Sequence, residues 1–246
     1  MAGALLQTEG LTRRFAGVVA ANSITLDITP GEVHAVIGPN GAGKTTLIGL
    51  LSGEIIPHDG SIRFDGVDIT RLPVHRRSRL GLARSFQITS LFQEFTALDN
   101  IALAVQAHRG HSFRFWRDAR RDDELRKPAL AALAGVGLSE RAGICVDKLS
   151  HGEHRQLDVA MSLATEPRLL LLDEPMAGMG PEESARMVQI LRELKGSVAI
   201  LLIEHDMDAV FALADRLTVL VEGRIIASGL PEAIKADAAV RQAYLG

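Results

Sequence analysis

The sequence predicts an α/β layered fold with a mostly parallel sheet, and three observations predict it. Short β-rich runs recur at residues 24–28, 33–37, 61–64, 169–172, 198–203, 217–221 and 224–227. Several lack apolar–polar alternation, as strands covered on both faces do. Helical stretches lie between them at 44–52, 152–165, 181–194 and 206–214, and strands alternating with helices argue for layers. Finally, Gly38-Pro39-Asn40-Gly41-Ala42-Gly43-Lys44-Thr45 joins the run at 33–37 to the helix opening at Lys44. It fits the phosphate-cradling pattern G-x-x-x-x-G-K-[ST] at every fixed position.

The chain has 246 residues, of which 47% are hydrophobic and 23% charged. That suits one large domain, or one domain carrying a subdomain. A net charge of −3 gives no electrostatic reason to expect a nucleic-acid partner. The single cysteine, Cys145, cannot form an intrachain disulfide. A reducing compartment and a small buried side chain are the simplest expectations for it. No signal peptide is expected at the N-terminus. Apolar runs such as 169–172 and 198–203 are far too short to cross a membrane.

The segment from 88 to 149 has no clear strand and carries apolar helical patterns at 98–107 and 125–136. It reads as an inserted helical subdomain. Between its helices, residues 108–123 set His108, Arg109, His111, Arg114, Arg117, Arg120 and Arg121 around Phe113, Phe115 and Trp116. Such a patch suits a membrane surface or a partner. A solvated loop reads equally well, because Asp118, Asp122, Asp123 and Glu124 dilute the charge.

The chemistry concentrates at strand ends. Glycines let backbone N–H groups turn toward a phosphate, and the helix N-terminus adds partial positive charge. Lys44 brings a full charge to the β- and γ-phosphates, and Thr45 a hydroxyl to Mg²⁺. Asp173 and Glu174 end the run at 169–172. Two carboxylates at the end of a buried strand are costly unless something binds them. Ligands of open parallel sheets sit beyond the strands' carboxyl ends, so Gly38 and Asp173 can share a site. Asp173 then holds Mg²⁺, directly or through water, and Glu174 faces the attacking water as general base. His205 follows the run at 198–203 and lands on the same rim, where it can hydrogen-bond the γ-phosphate. Leu149-Ser150-His151-Gly152-Glu153 carries the S-x-x-E capping box. Its helix N-terminus, with a free Ser150 hydroxyl and Gly152, is also an anion site. Plainer readings are a polar turn at Asp173-Glu174, a structural histidine and a simple N-cap.

In this order the motifs resemble the ATP-binding cassette ATPases, over essentially the whole chain. The resemblance rests on residues 38–45, Gln87 after Arg84-Ser85-Phe86, the signature at 149–153, Asp173-Glu174 and His205. It implies a P-loop NTPase core with a mostly parallel sheet, an N-terminal antiparallel β part and an inserted helical subdomain. The whole of 1–246 is then one ATP-binding domain, its core 1–87 and 150–246 and its helical subdomain 88–149. It also implies ATP and Mg²⁺ as cofactors. Residues Gly38, Pro39, Asn40, Gly41, Ala42, Gly43, Lys44, Thr45 and Thr46 hold the nucleotide. Thr45, Gln87 and Asp173 serve the metal, and Glu174, His205 and Gln87 are catalytic. Phe15 stands where the family sets an adenine-stacking aromatic, although a core phenylalanine reads the same. Ser150 and Gly152 contact the nucleotide of a second subunit.

Two departures narrow the resemblance. His151 and Glu153 replace Gly and Gln of the usual Leu-Ser-Gly-Gly-Gln signature. Met176-Ala177-Gly178-Met179-Gly180 lacks the aspartate that usually closes Ser-Ala-Leu-Asp. The stretches 175–183 and 203–207 and the end Ala243-Tyr244-Leu245-Gly246 are similar to the ATPases of branched-chain amino-acid importers. ATPases of urea and short-chain amide importers stand close by. Leu91-Phe92-Gln93-Glu94-Phe95-Thr96 resembles the border of the groove for the membrane subunits' coupling helix. The expectation is an ATP-hydrolysing importer subunit, peripheral on the cytoplasmic face of the inner or plasma membrane. Its partners are a second cassette subunit, identical or similar, the membrane permease subunits and, indirectly, a periplasmic or extracellular solute-binding protein. The alternatives are a lipopolysaccharide-type exporter ATPase or a non-transport cassette ATPase.

Overall fold

The computed structural model describes residues 3–85, 91–110, 122–238, 240 and 242. Strands β1 (Leu6–Phe15) and β2 (Val18–Ile28) form an antiparallel hairpin; β4 (Asp59–Phe64) pairs with the far edge of β1, and β5 (Val67–Asp68) follows it. The second sheet has the order β10-β9-β3-β8-β7-β6. It comprises β3 (Val33–Ile37), β6 (Leu82–Arg84), β7 (Leu169–Asp173), β8 (Ala199–Ile203), β9 (Arg216–Val221) and β10 (Arg224–Gly229). All its neighbours run parallel except β9 and β10.

The central strands are apolar throughout because both faces are covered. Leu169 and Leu171 join a cluster with Leu47, Ile48, Leu50 and Leu51 of α1 (Lys44–Ser52) and with Leu6, Leu11 and Ile24 of the antiparallel sheet. Leu170 and Leu172 face the other way. They join Ile101 of α3 (Ala97–Arg109), Leu133 of α4 (Asp123–Gly135), Leu157 of α5 (His151–Leu163) and Met187 of α6 (Pro181–Leu194). Period-two alternation is present in space and invisible in composition. The last helices, α7 (Met207–Leu213) and α8 (Pro231–Ala236), cover Ala35, Leu217 and Val219. Among the described residues no helix is long and apolar enough to cross a membrane.

Some elements were not evident from sequence. β1 buries Leu6 and Thr8 but shifts register between Thr8 and Leu11, past Gly10. The bulge and the buried threonine break the alternation that would reveal a strand. The short α2 (Val74–Arg79) buries Arg77, which donates to the carbonyls of Leu50 and Leu51 at 2.7 Å each, of Leu72 at 2.9 Å and of Thr70 at 3.0 Å. It thereby satisfies carbonyls at the end of α1 that the helix leaves open. Burial lowers the Arg77 pKa to about 10.

Cys145 is only half-buried. Most of the basic, aromatic patch, residues 111–121, lies outside the described residues. Of its described members, His108 sits 3.4 Å from the Ser78 hydroxyl and Arg109 donates to the Glu124 carbonyl at 2.8 Å.

Asp158 of α5 lines a cavity of about 190 Å³ with Glu54, Arg84, Met161 and Ser162. Burial raises its pKa to about 7, against the pull of Arg155. From the ordinary value of 3.8 to about 7 the folded chain therefore holds a proton that the unfolded chain releases. Stability from this group falls as pH rises through that window. Asp158→Asn should thus raise the melting temperature at about pH 8, with little of that gain left at about pH 4. A variant that melts no higher than the native protein at the alkaline end contradicts this.

Candidate active site

The parallel strands β3, β8 and β7 end together. Val36 pairs with Ile203, and Ile203 pairs with Asp173. The loop from Gly38, the pair Asp173-Glu174 and the pair Glu204-His205 therefore leave the sheet at one edge.

The 38–45 loop is held from outside by backbone. A Cβ on Gly38 would strike the Leu220 carbonyl of β9, and one on Gly43 would strike the Ala20 carbonyl of β2. Gly43 also sits at φ +100°, where side-chain-bearing residues are strained. The β9–β10 turn ties the loop down: Gly223 N–H donates to the Ala42 carbonyl at 2.9 Å, and Asn22 N–H to the Gly223 carbonyl at 2.8 Å. Pro39, Asn40 and Gly41 form its exposed tip. The Lys44 ammonium crosses the loop, donating to the carbonyls of Gly38 at 2.6 Å and Pro39 at 3.1 Å. No side chain caps α1 and its first turn holds no acid. Thr45 is exposed there and Thr46 half-buried. The N–H groups and ammonium of such a loop suit a polyanion.

Asp173 is 3% exposed. Its Oδ2 lies 3.4 Å from Arg84, which also pairs with Glu54 at 2.5 Å. Its Oδ1 is buried and has no hydrogen-bond partner. Burial, more than any other cause, raises the carboxyl's pKa, and Glu174 adds to it; Arg84 and Lys44 pull the other way. A buried acceptor without a partner is costly, and a cation fits that oxygen.

Glu174 adopts φ +51°, left-handed for a residue with a side chain. Its Oε1 lies 3.9 Å from His205 Nδ1. The imidazole is largely exposed, while Glu204 behind it is 1% exposed. The strand ends thus bring together the loop, Asp173, Glu174 and His205. Gln87 lies outside the described residues, as does the end at 243–246.

Ser150 and Gly152 stand apart from this edge, at the start of α5. Ser150 and Glu153 form the capping box, with bonds of 3.2 and 2.8 Å. The expectation of a free Ser150 hydroxyl is corrected. It donates to Glu183 Oε1 of α6 at 3.4 Å, and Gly152 N–H donates to the same oxygen at 3.2 Å. The local signal for Glu183 in the sequence is its place in the first turn after Gly180-Pro181. Phe15 closes the β1–β2 hairpin and is 41% exposed, so the core reading fails. The Arg13 guanidinium covers its ring at 4.8 Å.

Comparison with known proteins gives concordant results. The family described as "ABC transporter" matches residues 21–177, and that described as "Branched-chain amino acid ATP-binding cassette transporter" matches residues 224–246. The chain is 39% identical to the high-affinity branched-chain amino acid transport ATP-binding protein BraF of Pseudomonas aeruginosa, covering 100% of this chain and 99% of that protein. It is 36% identical to the LivG protein of Escherichia coli, which carries the same description, with the same coverage. Identity to the lipopolysaccharide export ATP-binding protein LptB of Acidithiobacillus ferridurans is 32%, over 98% of this chain and 97% of that one. A solved ATP-binding cassette of an ABC transporter in its ADP conformation superposes with a TM-score of 0.88 at 28% identity, covering 99% of each chain.

The loop geometry makes one residue a direct test. Gly43→Ala must relieve a left-handed φ and a collision with Ala20 together. It should lower the melting temperature, by a cost of about 1–3 kcal/mol, and weaken ATP binding. An unchanged melting curve and unchanged affinity would mean that the loop adopts another path.

Proposed function

Because the chain belongs to the ATP-binding cassette family of transporter ATPases, we propose that it energises an importer of branched-chain amino acids or a related small polar solute. The observation that carries the catalytic part is the shared edge of β3, β8 and β7. It gathers a phosphate loop, a buried carboxylate oxygen without a partner, and a carboxylate beside a histidine. The full-length similarity to branched-chain transport ATP-binding proteins and the match at 224–246 support the solute class. The lipopolysaccharide export relative is less similar.

In this reading the backbone of Gly38, Pro39, Asn40, Gly41, Ala42 and Gly43 wraps the β-phosphate, and Lys44 turns from the loop carbonyls to the β- and γ-phosphates. N–H groups of Thr45 and Thr46 complete the anion site. Asp173 Oδ1 and the Thr45 hydroxyl, with Gln87, would hold Mg²⁺, which would supply neutralisation of the phosphate charge when bound. Among the described residues no cluster of three or more acids, histidines or cysteines could hold a metal. Glu174 accepts the proton of a water attacking the γ-phosphorus as the bridging P–O bond to ADP breaks. His205 donates to the γ-phosphate and orients beside Glu174. Phe15 offers adenine the ring face that Arg13 leaves open.

Ser150 and Gly152 serve the γ-phosphate of a second cassette subunit, so two chains close around two ATP molecules. Closure displaces Glu183 from both groups. The helical subdomain, 88–149, meets the permease subunits on the cytoplasmic face of the membrane; Phe92 and Phe95, exposed and with ring centroids 5.4 Å apart, support this reading.

Glu174→Gln keeps the side-chain shape and removes the base. It should bind ATP, hydrolyse it at least about 100-fold more slowly, and accumulate as a closed dimer with Mg-ATP in light scattering. The dimer forms with itself or with a similar second ATPase, and adding Ser150→Arg should abolish it. Hydrolysis by Glu174→Gln at the native rate removes Glu174 as base. Phe15→Ala should weaken ATP binding by roughly 1–2 kcal/mol, and Phe15→Tyr should be neutral. Unchanged affinity in Phe15→Ala removes the stacking role.

A further inference from the structure

Glu204 lies one residue beyond β8 and is 1% exposed. A carboxylate there, after five fully buried strand residues, is costly unless donors surround it. Both of its oxygens are engaged by backbone. Oε1 accepts the Met176 N–H at 2.9 Å, and Oε2 accepts the His205 N–H at 3.1 Å. Burial pushes the carboxyl above its ordinary range in spite of these donors.

The donors belong to both functional segments. Met176 is two residues past Glu174, and His205 adjoins Glu204 itself. Glu174 N–H donates to the Ile203 carbonyl at 2.9 Å. The left-handed φ of Glu174 is therefore pinned on both sides, by Ile203 before it and by Glu204 after it. Such a conformation persists only where the surroundings impose it. The Glu204 carboxylate holds backbone donors of both segments, and its Oε2 lies 3.9 Å from the His205 imidazole. It acts on the reaction through the segments it joins and the ring beside it.

We infer that Glu204 is a positioning residue for ATP hydrolysis: it laces the loop after β7 to the loop after β8 and so sets the aim of Glu174 and His205. The inference rests on the roles proposed for those two residues. It differs from a core role in what it affects, namely the alignment of the base rather than the retention of nucleotide.

Glu204→Gln preserves volume and one acceptor oxygen, and turns an NH₂ group toward the other N–H donor. ATP turnover of this variant should fall at least about 10-fold, since small misplacements of a reacting group carry costs of that size. Affinity for a fluorescent ATP analogue should stay within about twofold and binding remain stoichiometric, because residues 38–45 are untouched. A native turnover rate, or turnover and nucleotide affinity falling together, overturns the inference. Hydrogen exchange on the native protein needs no variant. The Met176 and His205 amides should be protected like those of β7 and β8, and free exchange at Met176 also overturns it. Glu174→Gln separates the two levels. If that variant hydrolyses ATP normally, the reading of the site has failed. If it is inactive while Glu204→Gln is fully active, the positioning role alone has failed.

Discussion

A carboxylate at the end of a fully buried strand is the constraint on which the rest of the site depends. Asp173 closes β7, a strand with no exposed residue, and one of its oxygens has no partner. Arg84 meets only the other oxygen, at 3.4 Å. Such an arrangement costs stability unless something completes it. A cation arriving at the sheet edge beside the 38–45 loop would complete it. In the proposed reading nucleotide and metal belong to one binding event: the loop would supply positive charge for the phosphates, and Asp173 negative charge for the ion.

The fold meets that constraint by running its central strands in one direction. β3, β8 and β7 are neighbours in the sheet and far apart in sequence. Their common ends bring Lys44, Asp173, Glu174 and His205 together without long loops. The antiparallel sheet is more than a cover. Its β2 carbonyl at Ala20 and the β9–β10 turn at Gly223 press on the loop at Gly43 and Ala42. The hairpin carrying Phe15 and the loop carrying Lys44 are therefore mechanically linked through β2.

Much of this was legible in the sequence, for physical reasons. Unbroken apolar runs at β3, β7 and β8 follow from burial on two faces, and the phosphate loop is nearly a full specification of its geometry. β1 was hidden because Thr8 takes a core position, its hydroxyl bonded to the backbone of Ile24 and Leu26, and because a bulge breaks the period. The Ser150–Glu183 bond is not legible in the sequence because its acceptor lies on another helix. Glu204 was visible only as a neighbour of His205; its inward aim follows from strand register, which no local pattern encodes. Gln87 falls outside the described residues, so its proposed place beside Asp173 rests on the motif alone.

In the proposed site Asp173 is a ligand of the metal that binds with nucleotide. The direct measurement is Mn²⁺ binding, followed by electron paramagnetic resonance, to the native protein and to Asp173→Asn, each saturated with a non-hydrolysable ATP analogue. The account predicts Mn²⁺ affinity lower by about tenfold or more in Asp173→Asn, the loss of a charged ligand being worth about 1.5–3 kcal/mol. It also predicts that metal-free binding of the analogue does not weaken, because a negative charge near the phosphates has been removed. Equal Mn²⁺ affinity in the two proteins would contradict it.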